Sequence, residues 1–333
     1  EVSVMHQEEP LTIANNLVQA ERQDQIKQVC QYINYSGPFK PKHFHYLLAD
    51  DRRKVIYCNI PKVGCTNWIK LFAITSQVAD INKIVNLLPE EFLNKHPNIK
   101  SEKNWTREKF INLLKIYPNS YLHTPQFLDN IGLKHLSGFN TAGMKYRLEN
   151  YYKFMVVRHP SIRLLSAYRD KFEKKYDEVY RKVYTDPINR HYYKNLMENR
   201  DTNFSSSKAY QMLNFKKFAN YVADIGSNRS LSAQLNPHWL PYQSICHPCV
   251  VNYDYVAHLE TLDQDFPHIL KHLSTNSSIK QFLPPDFGPT SPTANDWSTA
   301  SSYYDQLDTP LKYKLRNIYD LDFLMFNYKN QFL

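Results

Sequence analysis

The segment from Ile60 to Trp68 (IPKVGCTNW) has the composition of an anion-binding loop. It follows a short apolar run and precedes a helical pattern, which is where an α/β sheet binds ligands. Lys62 can reach the bridging oxygen of a bound anhydride, and Thr66 adds a hydroxyl. The backbone N–H groups that can converge on a phosphate are those of Val63, Gly64, Cys65, Thr66 and Asn67. On spacing alone, an ordinary strand-to-helix turn with a surface lysine fits equally well.

A second candidate anion site follows another apolar run, Tyr152–Val157 (YKFMVV). Arg158 stands directly after this run, and Ser166 lies two turns into the helix that follows. A guanidinium group is a planar fork suited to phosphate, and the Ser166 hydroxyl can donate one more hydrogen bond. The neighbouring Arg163 and Arg169 fit a solvated helix face as well. Two such loops in one chain make anion binding the stronger interpretation.

Both loops need a strand before them and a helix after them. The apolar runs Lys54–Ile60 and Tyr152–Val157 predict strands, each ending near a proline. Helices are predicted from Asn67 to Val78 and from Ser161 to about Tyr184. Two strand-loop-helix units in order predict an α/β fold with a parallel sheet and helices on its faces.

The rest of the chain supplies fewer signals. We predict residues 1–45 to be a stem segment and residues 46–333 to be the catalytic domain. Residues 284–302 are rich in proline, serine and threonine and predict a loop. Other predicted elements are helices at Leu11–Asn34, Trp105–Ile116 and Thr309–Tyr328, and a strand at Val250–Ala257.

Composition narrows the class of partner. The 333 residues are 42% hydrophobic, enough for a large core, and a formal charge of +9 favours polyanions. The basic helix from Tyr168 to Tyr184 could bind nucleic acid, but no nucleic-acid motif accompanies it. No run of about 18 apolar residues occurs, so we expect membrane attachment only through an N-terminal anchor absent from this chain.

Cysteines and glycosylation sequons bear on the compartment. The five cysteines are an odd number, so at least one is outside any intramolecular disulfide. Cys246-His-Pro-Cys249 is a single CxxC and a weak metal motif, so we expect a local disulfide or buried thiols there. Five Asn-x-Ser/Thr sequons favour a luminal or secreted setting, at Asn34, Asn104, Asn203, Asn228 and Asn276.

The two loops resemble the donor-binding motifs of Golgi carbohydrate sulfotransferases of the HNK-1 and chondroitin/dermatan 4-O-sulfotransferase family. PKVGCTNW is similar to the family's 5'-phosphosulfate loop, and VRHPSIRLLSAYRDKF is similar to its 3'-phosphate loop. Further similar motifs are His238-Trp239, CHPC, YDYVAHLETL and IYDLDFLMFNY. The resemblance extends over about residues 45–330.

The resemblance implies a P-loop-like parallel sheet flanked by helices and the donor 3'-phosphoadenosine-5'-phosphosulfate (PAPS). It also implies in-line displacement at sulfur, with adenosine-3',5'-bisphosphate leaving and no metal required. Lys62 and residues 63–67 would bind the phosphosulfate, and Arg158 with Ser166 the 3'-phosphate. The expected acceptor is an anionic glycan rather than nucleic acid, and the expected compartment is the Golgi lumen.

The attacking sugar hydroxyl needs a base that works near neutral pH, and histidine is the natural candidate. His123 in YLHTP resembles a histidine of related hexuronosyl and chondroitin sulfotransferases, so we predict it to be the base. His135, His238 and His159 are the alternatives.

Two departures from the family pattern keep other functions open. His159 stands where the family has an acidic residue, and Ser161-Ile162 stands where it has Phe-Glu. A non-catalytic polyanion-binding protein on the same fold is therefore the alternative. A nucleotide-dependent kinase is disfavoured, since neither a Walker A loop nor an evident Mg²⁺-binding acid is present.

Overall fold

The computed structural model describes residues 10–34, 41–76, 78, 80–173, 178–197, 213–228, 230–232, 235–273 and 297–329. The chain divides into two compact units. The first comprises Glu1–Val157 and Ile245–Ser291, and the second comprises Arg158–Ser244 and Pro292–Leu333. The division at residue 45 into stem and catalytic domain stays a prediction.

In the described part of the chain, the first unit is built on a five-stranded sheet of order β3-β1-β2-β4-β5. The parallel strands are β2, β4 and β5, and β1 runs antiparallel to β2 and β3. This confirms the α/β fold and the parallel pairing of the strands before the two candidate loops. Neither β1 nor β3 is predictable from the sequence, because three or four residues carry little periodicity. The strands are β1 (Leu47–Asp50), β2 (Val55–Cys58), β3 (Leu133–His135), β4 (Tyr152–Val157) and β5 (Tyr255–His258).

Helices account for most of the remaining described residues. In chain order they are α1 (Pro10–Tyr32), α2 (Cys65–Thr75), α3 (Ile81–Val85), α4 (Glu90–Lys95), α5 (Pro97–Ser101), α6 (Arg107–Ile116), α7 (Asn119–Leu122), α8 (Pro125–Asn130), α9 (Thr141–Asn150), α10 (Pro160–Tyr168), α11 (Glu178–Tyr180), α12 (Asp186–Met197), α13 (Phe215–Ser227), α14 (Tyr242–Cys246), α15 (Leu262–Leu273), α16 (Trp297–Tyr304) and α17 (Thr309–Met325). Short π-helical segments occupy Arg169–Glu173 and Arg181–Thr185.

Aromatic side chains fill the core of the first unit between the sheet and α2. The rings of Tyr57 on β2 and Phe154 on β4 stack with centroids 5.0 Å apart, and Trp68 of α2 lies 5.3 Å from Phe154. All three side chains are buried. Each such ring buries a large apolar area, so this cluster fixes α2, and with it the loop that opens α2, against the sheet.

Helix α1 covers the outer edge of β5. The Gln19 side chain accepts from the N–H of Val256 at 2.9 Å and donates to its C=O at 3.1 Å, as a further strand would. Arg22 forms a 2.9 Å ion pair with the buried carboxylate of Asp265. The backbone N–H and C=O of Val256 are thereby paired, which stabilises an otherwise exposed edge.

Two long-range disulfides join distant parts of the first unit. Cys30 of α1 bonds Cys249, and Cys58 at the end of β2 bonds Cys246. The prediction of a local Cys246–Cys249 disulfide or buried thiols is therefore wrong. Sequence spacing could not show this, because each CHPC cysteine finds a partner about 200 residues away that only the fold brings near. Cys65 is outside both bonds.

The second unit is organised around the buried guanidinium of Arg163 on α10. Its nitrogens donate to the carbonyls of Leu240 at 2.7 Å and Pro237 at 2.8 Å. The guanidinium carbon lies 4.7 Å from the centre of the Tyr242 ring. In the sequence, Arg163 is compatible with a solvated helix face. In the structure it is a core residue that connects α10 to the segment before α14.

Several sequence predictions concern the surface or fall partly outside the described residues. The sequon asparagines Asn34, Asn104 and Asn228 are exposed. Asn203, Asn276, most of the predicted 284–302 loop and residues 174–177 of the predicted long helix lie outside the described residues. Among the helices that are described, none is both long and apolar enough to cross a membrane.

Candidate functional site

The loop between β2 and α2 holds its backbone in an unusual conformation. Lys62 has φ 74° and Gly64 has φ 82°, both in the left-handed region. Val63 between them is fully buried and anchors the loop. Left-handed residues within a turn direct neighbouring N–H groups toward one side, which creates a concave site for an anion. The predicted anion-binding loop thus has a suitable backbone.

The first turn of α2 adds hydrogen-bond donors to this loop. The helix begins at Cys65 after Gly64, which offers no side chain to cap the N-terminal N–H groups. Such uncapped groups carry partial positive charge and bind anions readily. Thr66 and Asn67 are half-buried in this turn, and Lys62 is half-exposed beside it. Loop and helix together can receive a phosphate or sulfate group.

His123 reaches the same loop from a distant part of the first unit. It terminates α7, and Thr124 directly after it caps α8, so two short helices fix its position. Its Nε2 lies 3.2 Å from Thr66 Oγ1 and 3.9 Å from Cys65 Sγ. Its Nδ1 lies 3.4 Å from the Asn59 amide nitrogen. The structure therefore brings the predicted histidine to the predicted loop.

The pKa of the Cys65 thiol reflects the electrostatics of this loop. Burial raises the pKa of Cys65. The hydrogen bond with His123 and the charges of His123 and Lys62 together lower it by more than burial raises it. The net pKa lies below the usual thiol value, because positive charge favours the thiolate. An environment that stabilises one anion in this way suits a bound phosphosulfate equally.

The second loop is built differently, around a buried arginine. Arg158 is only 5% exposed. The Tyr242 hydroxyl accepts from the Arg158 backbone N–H at 2.9 Å and donates to its C=O at 2.7 Å. Ser166, eight residues on, is half-buried on α10. The tyrosine fixes the backbone from which the arginine side chain extends.

A buried carboxylate that sequence reasoning missed holds Tyr242 in turn. Both oxygens of Asp322 accept from the Tyr242 backbone N–H at 3.0 Å. Burial raises the pKa of Asp322 to about 7, against the lowering effects of that N–H and of Arg163. The sequence signal for this residue is an aspartate within the apolar stretch Leu321–Met325. Such a position predicts a buried carboxylate, which needs a hydrogen-bond partner.

The alternative histidines have other surroundings. The His159 ring accepts from the Ser161 N–H through Nδ1, at 3.3 Å, and donates to the Lys329 carbonyl through Nε2, at 2.8 Å. The pKa of His159 is lowered to about 4, because burial and, to a smaller extent, the charge of Arg158 outweigh the raising effect of the hydrogen bond to Lys329. His159 is thus a structural cap of α10. His135 donates to the His45 carbonyl and stacks on its ring.

The described residues contain no cluster of three or more histidine, cysteine or acidic side chains that could hold a metal ion. Lys62, Thr66 and His123 belong to the first unit, and Arg158 and Ser166 belong to the second. Each unit thus contains one set of candidate anion-binding groups.

A sequence model of the sulfotransferase family matches residues 45–329, and the chain therefore belongs to that family. It is 31% identical over 314 residues to carbohydrate sulfotransferase 11 of Danio rerio, covering 92% of this chain and 75% of the relative. Carbohydrate sulfotransferase 12 of Mus musculus is 30% identical over 321 residues, with 93% and 68% covered. Carbohydrate sulfotransferase 10 of Gallus gallus is 28% identical over 327 residues, with 94% and 76% covered. No solved structure matches the chain significantly.

Proposed function

We propose that this protein transfers the sulfuryl group of PAPS to a hydroxyl of a sugar in a glycan. The observation that carries the proposal is the contact between His123 and Thr66 in the left-handed loop of Lys62 and Gly64. It unites anion-binding groups and a titratable imidazole in one place. The relatives named carbohydrate sulfotransferases support the same reaction class.

The donor-binding roles follow from the kind of group at each position. Lys62 and the N–H groups of residues 63–67 hold the 5'-phosphosulfate and stabilise charge on the phosphate oxygen that leaves. Arg158 binds the 3'-phosphate with its guanidinium fork, and Tyr242 fixes the Arg158 backbone. Ser166 donates one more hydrogen bond to the same phosphate. Bound PAPS supplies an electrophilic sulfur, so the residues that hold it need only bind it, orient it and neutralise its charge.

The transfer itself requires one proton acceptor. The acceptor hydroxyl oxygen forms a bond to sulfur while the bond from sulfur to the phosphate oxygen breaks, which releases adenosine-3',5'-bisphosphate. His123 takes the hydroxyl proton as general base, and the position of its ring against Thr66 holds it beside the loop.

The compartment we propose is the Golgi lumen, where a type II membrane anchor outside this chain would hold the enzyme. The two disulfides support an oxidising compartment. The exposed sequons at Asn34, Asn104 and Asn228 are suitable for N-glycosylation. The formal charge of +9 suits an anionic acceptor such as a glycosaminoglycan. The sugar that receives the sulfuryl group would be N-acetylgalactosamine, a hexose or a uronic acid.

The test is calorimetric titration of the purified protein with adenosine-3',5'-bisphosphate, beside ATP. We expect tight binding that ATP does not reproduce, and a loss of about tenfold or more in Lys62→Gln. Lys54→Gln is the matched control, because Lys54 also has a left-handed backbone, φ 54°, but precedes β2 instead of following it. Absence of binding in folded wild-type protein would discard the proposal and favour the polyanion-binding alternative.

A further inference from the structure

The loop between β2 and α2 carries a cysteine that is outside any disulfide. The sequence has five cysteines, and four of them form the Cys30–Cys249 and Cys58–Cys246 bonds. The fifth, Cys65, begins α2 and is half-buried, so the residue is not sealed from solvent. Neither the proposed sulfuryl transfer nor the proposed donor contacts use its sulfur atom.

The surroundings of Cys65 favour the thiolate, which is the reactive form of cysteine. Its Sγ lies 3.9 Å from Nε2 of His123. Burial raises the pKa of the thiol, but the hydrogen bond with His123 and the charges of His123 and Lys62 together outweigh burial. The N-terminus of α2, which begins at this residue, adds partial positive charge. The loop therefore holds a nucleophilic sulfur.

Two buried polar atoms near this sulfur have no hydrogen-bond partner among the described residues. They are the Tyr57 hydroxyl and Asn59 Oδ1. The Tyr57 side chain is fully buried, and its pKa is raised chiefly by burial and also by the charge of Cys65, so its hydroxyl lies near that thiol. Asn59 contacts the same His123 ring, with 3.4 Å between its amide nitrogen and Nδ1. A buried hydroxyl without a partner is costly, so a polar atom added at Cys65 would be stabilised there.

We propose that Cys65 is a modification site at which a hydroperoxide oxidises the cysteine to a sulfenic acid. The sulfur attacks one peroxide oxygen, the O–O bond breaks, and the hydroxide that leaves takes a proton from water. The sulfur loses two electrons and the peroxide gains them. The added oxygen gives the Tyr57 hydroxyl a hydrogen-bond partner. A sulfenic acid condenses readily with a second thiol, but every other cysteine of the chain is in a disulfide, so the product persists.

The modification would weaken donor binding. The N–H of Cys65 is among the groups proposed to hold the 5'-phosphosulfate, and oxidation adds an electronegative atom to the same residue. We expect the oxidised protein to bind adenosine-3',5'-bisphosphate about fivefold to tenfold more weakly, the effect of one hydrogen bond. This consequence rests on the proposed function, whereas the modification itself does not.

The thiolate is tested by the rate at which iodoacetamide alkylates the folded protein from about pH 5 to about pH 10, followed by mass spectrometry. We expect the midpoint of the rate profile to lie below the usual thiol value of 9.0, and to move up in His123→Ala, which lacks the hydrogen bond to Cys65. His135→Ala, which removes a ring stacked on His45, is the matched control and should keep the wild-type midpoint. A wild-type midpoint at or above 9.0, or the same midpoint in His123→Ala, would overturn the proposal.

Oxidation is tested with hydrogen peroxide followed by dimedone, which adds to sulfenic acids, and the adduct is located by mass spectrometry. We expect one adduct per chain, on Cys65, and none in Cys65→Ser. Tyr57→Phe loses only an unpaired hydroxyl and should fold, but its sulfenic acid should persist for a time about threefold to tenfold shorter. Tyr117→Phe, which loses a buried hydroxyl bonded to the Ile84 carbonyl, is the matched control and should keep the wild-type lifetime. No adduct in wild type, or an equal lifetime in Tyr57→Phe, would overturn the proposal.

The outcome is separable from that of the proposed function. Calorimetry measures adenosine-3',5'-bisphosphate binding before and after peroxide treatment, with Cys65→Ser as the control whose affinity should not change on treatment. If the reduced protein binds no nucleotide but the Cys65 adduct forms, sulfuryl transfer is discarded and the modification site is retained. If wild type binds the nucleotide equally well before and after complete oxidation, the inferred effect on the donor is overturned.

Discussion

The two candidate anion-binding loops hold their polar groups by different physical means. In the first loop the anion-binding groups are backbone N–H groups and half-exposed side chains, and the left-handed residues Lys62 and Gly64 set their direction. In the second loop the charge of Arg158 is buried, and its backbone is held by Tyr242 and, through Tyr242, by Asp322. Changes to the polar side chains at the first loop should therefore affect donor binding or turnover with little effect on stability, whereas changes around the second should affect stability and binding together.

The largest effect is expected from His123→Ala, which removes the ring that contacts Thr66 at the first loop. Removal of a general base lowers kcat by about 10²–10⁴-fold. Donor affinity and melting temperature should change little, because the ring is half-buried and does not belong to the apolar core. Steady-state kinetics with calorimetric donor binding measures both. His135→Ala should retain activity, and wild-type turnover in His123→Ala would remove this histidine from the mechanism.

Around the second loop, Asp322→Asn should change stability with a clear pH dependence. The pKa of Asp322 is about 7 in the folded protein, above its usual value of 3.8. Between these values the unfolded chain ionises while the folded one stays protonated, so the free energy of unfolding falls as pH rises. Asparagine does not titrate, so the free energy of unfolding of the variant should rise relative to that of wild type from pH 4 to 7, by at most about 4 kcal/mol.

Urea denaturation at several pH values measures this gain. Asp320→Asn, at a half-buried position on the same helix, is the matched control variant. If the difference in the free energy of unfolding between Asp322→Asn and wild type is constant from pH 4 to 7, the Asp322 carboxyl does not titrate as inferred.

Tyr242→Phe tests whether Arg158 depends on its backbone support. Loss of the hydroxyl leaves the N–H and C=O of Arg158 without this partner, which costs about 1–3 kcal/mol. The matched variant is Tyr253→Phe, which removes a buried hydroxyl bonded to the Cys246 carbonyl in the first unit. Both variants should lose stability in denaturation, but only Tyr242→Phe should lose affinity for adenosine-3',5'-bisphosphate. Equal donor affinity in the two would reduce Tyr242 to a purely structural residue.

The smallest effect is expected from Gly64→Ala in the first loop. An added Cβ would lie 4.0 Å from Leu259, an ordinary contact, so the cost comes from the left-handed backbone and is about 1–2 kcal/mol. Gly138→Ala, where a Cβ meets nothing within 4 Å, is the control for denaturation. Unchanged stability in Gly64→Ala would show that the loop tolerates another backbone conformation.

The sequence alone determined the local parts of this protein. Apolar runs before Pro61 and Arg158 predicted two strands that the structure confirms as β2 and β4. The helix predicted at Trp105–Ile116 corresponds to α6, which Thr106 caps, and the loop motifs predicted the family that the comparison shows. These features depend on residues within one turn or one strand of each other, so neighbouring side chains are sufficient to specify them.

Only the tertiary structure decided the pairings between distant residues. It joined Cys58 to Cys246 and Cys30 to Cys249, placed His123 against Thr66, and buried Arg163. It also showed that His159 caps a helix. The physical reason is that hydrogen bonds and disulfides need atoms within a few ångströms, and for residues far apart along the chain only the packed fold supplies that proximity.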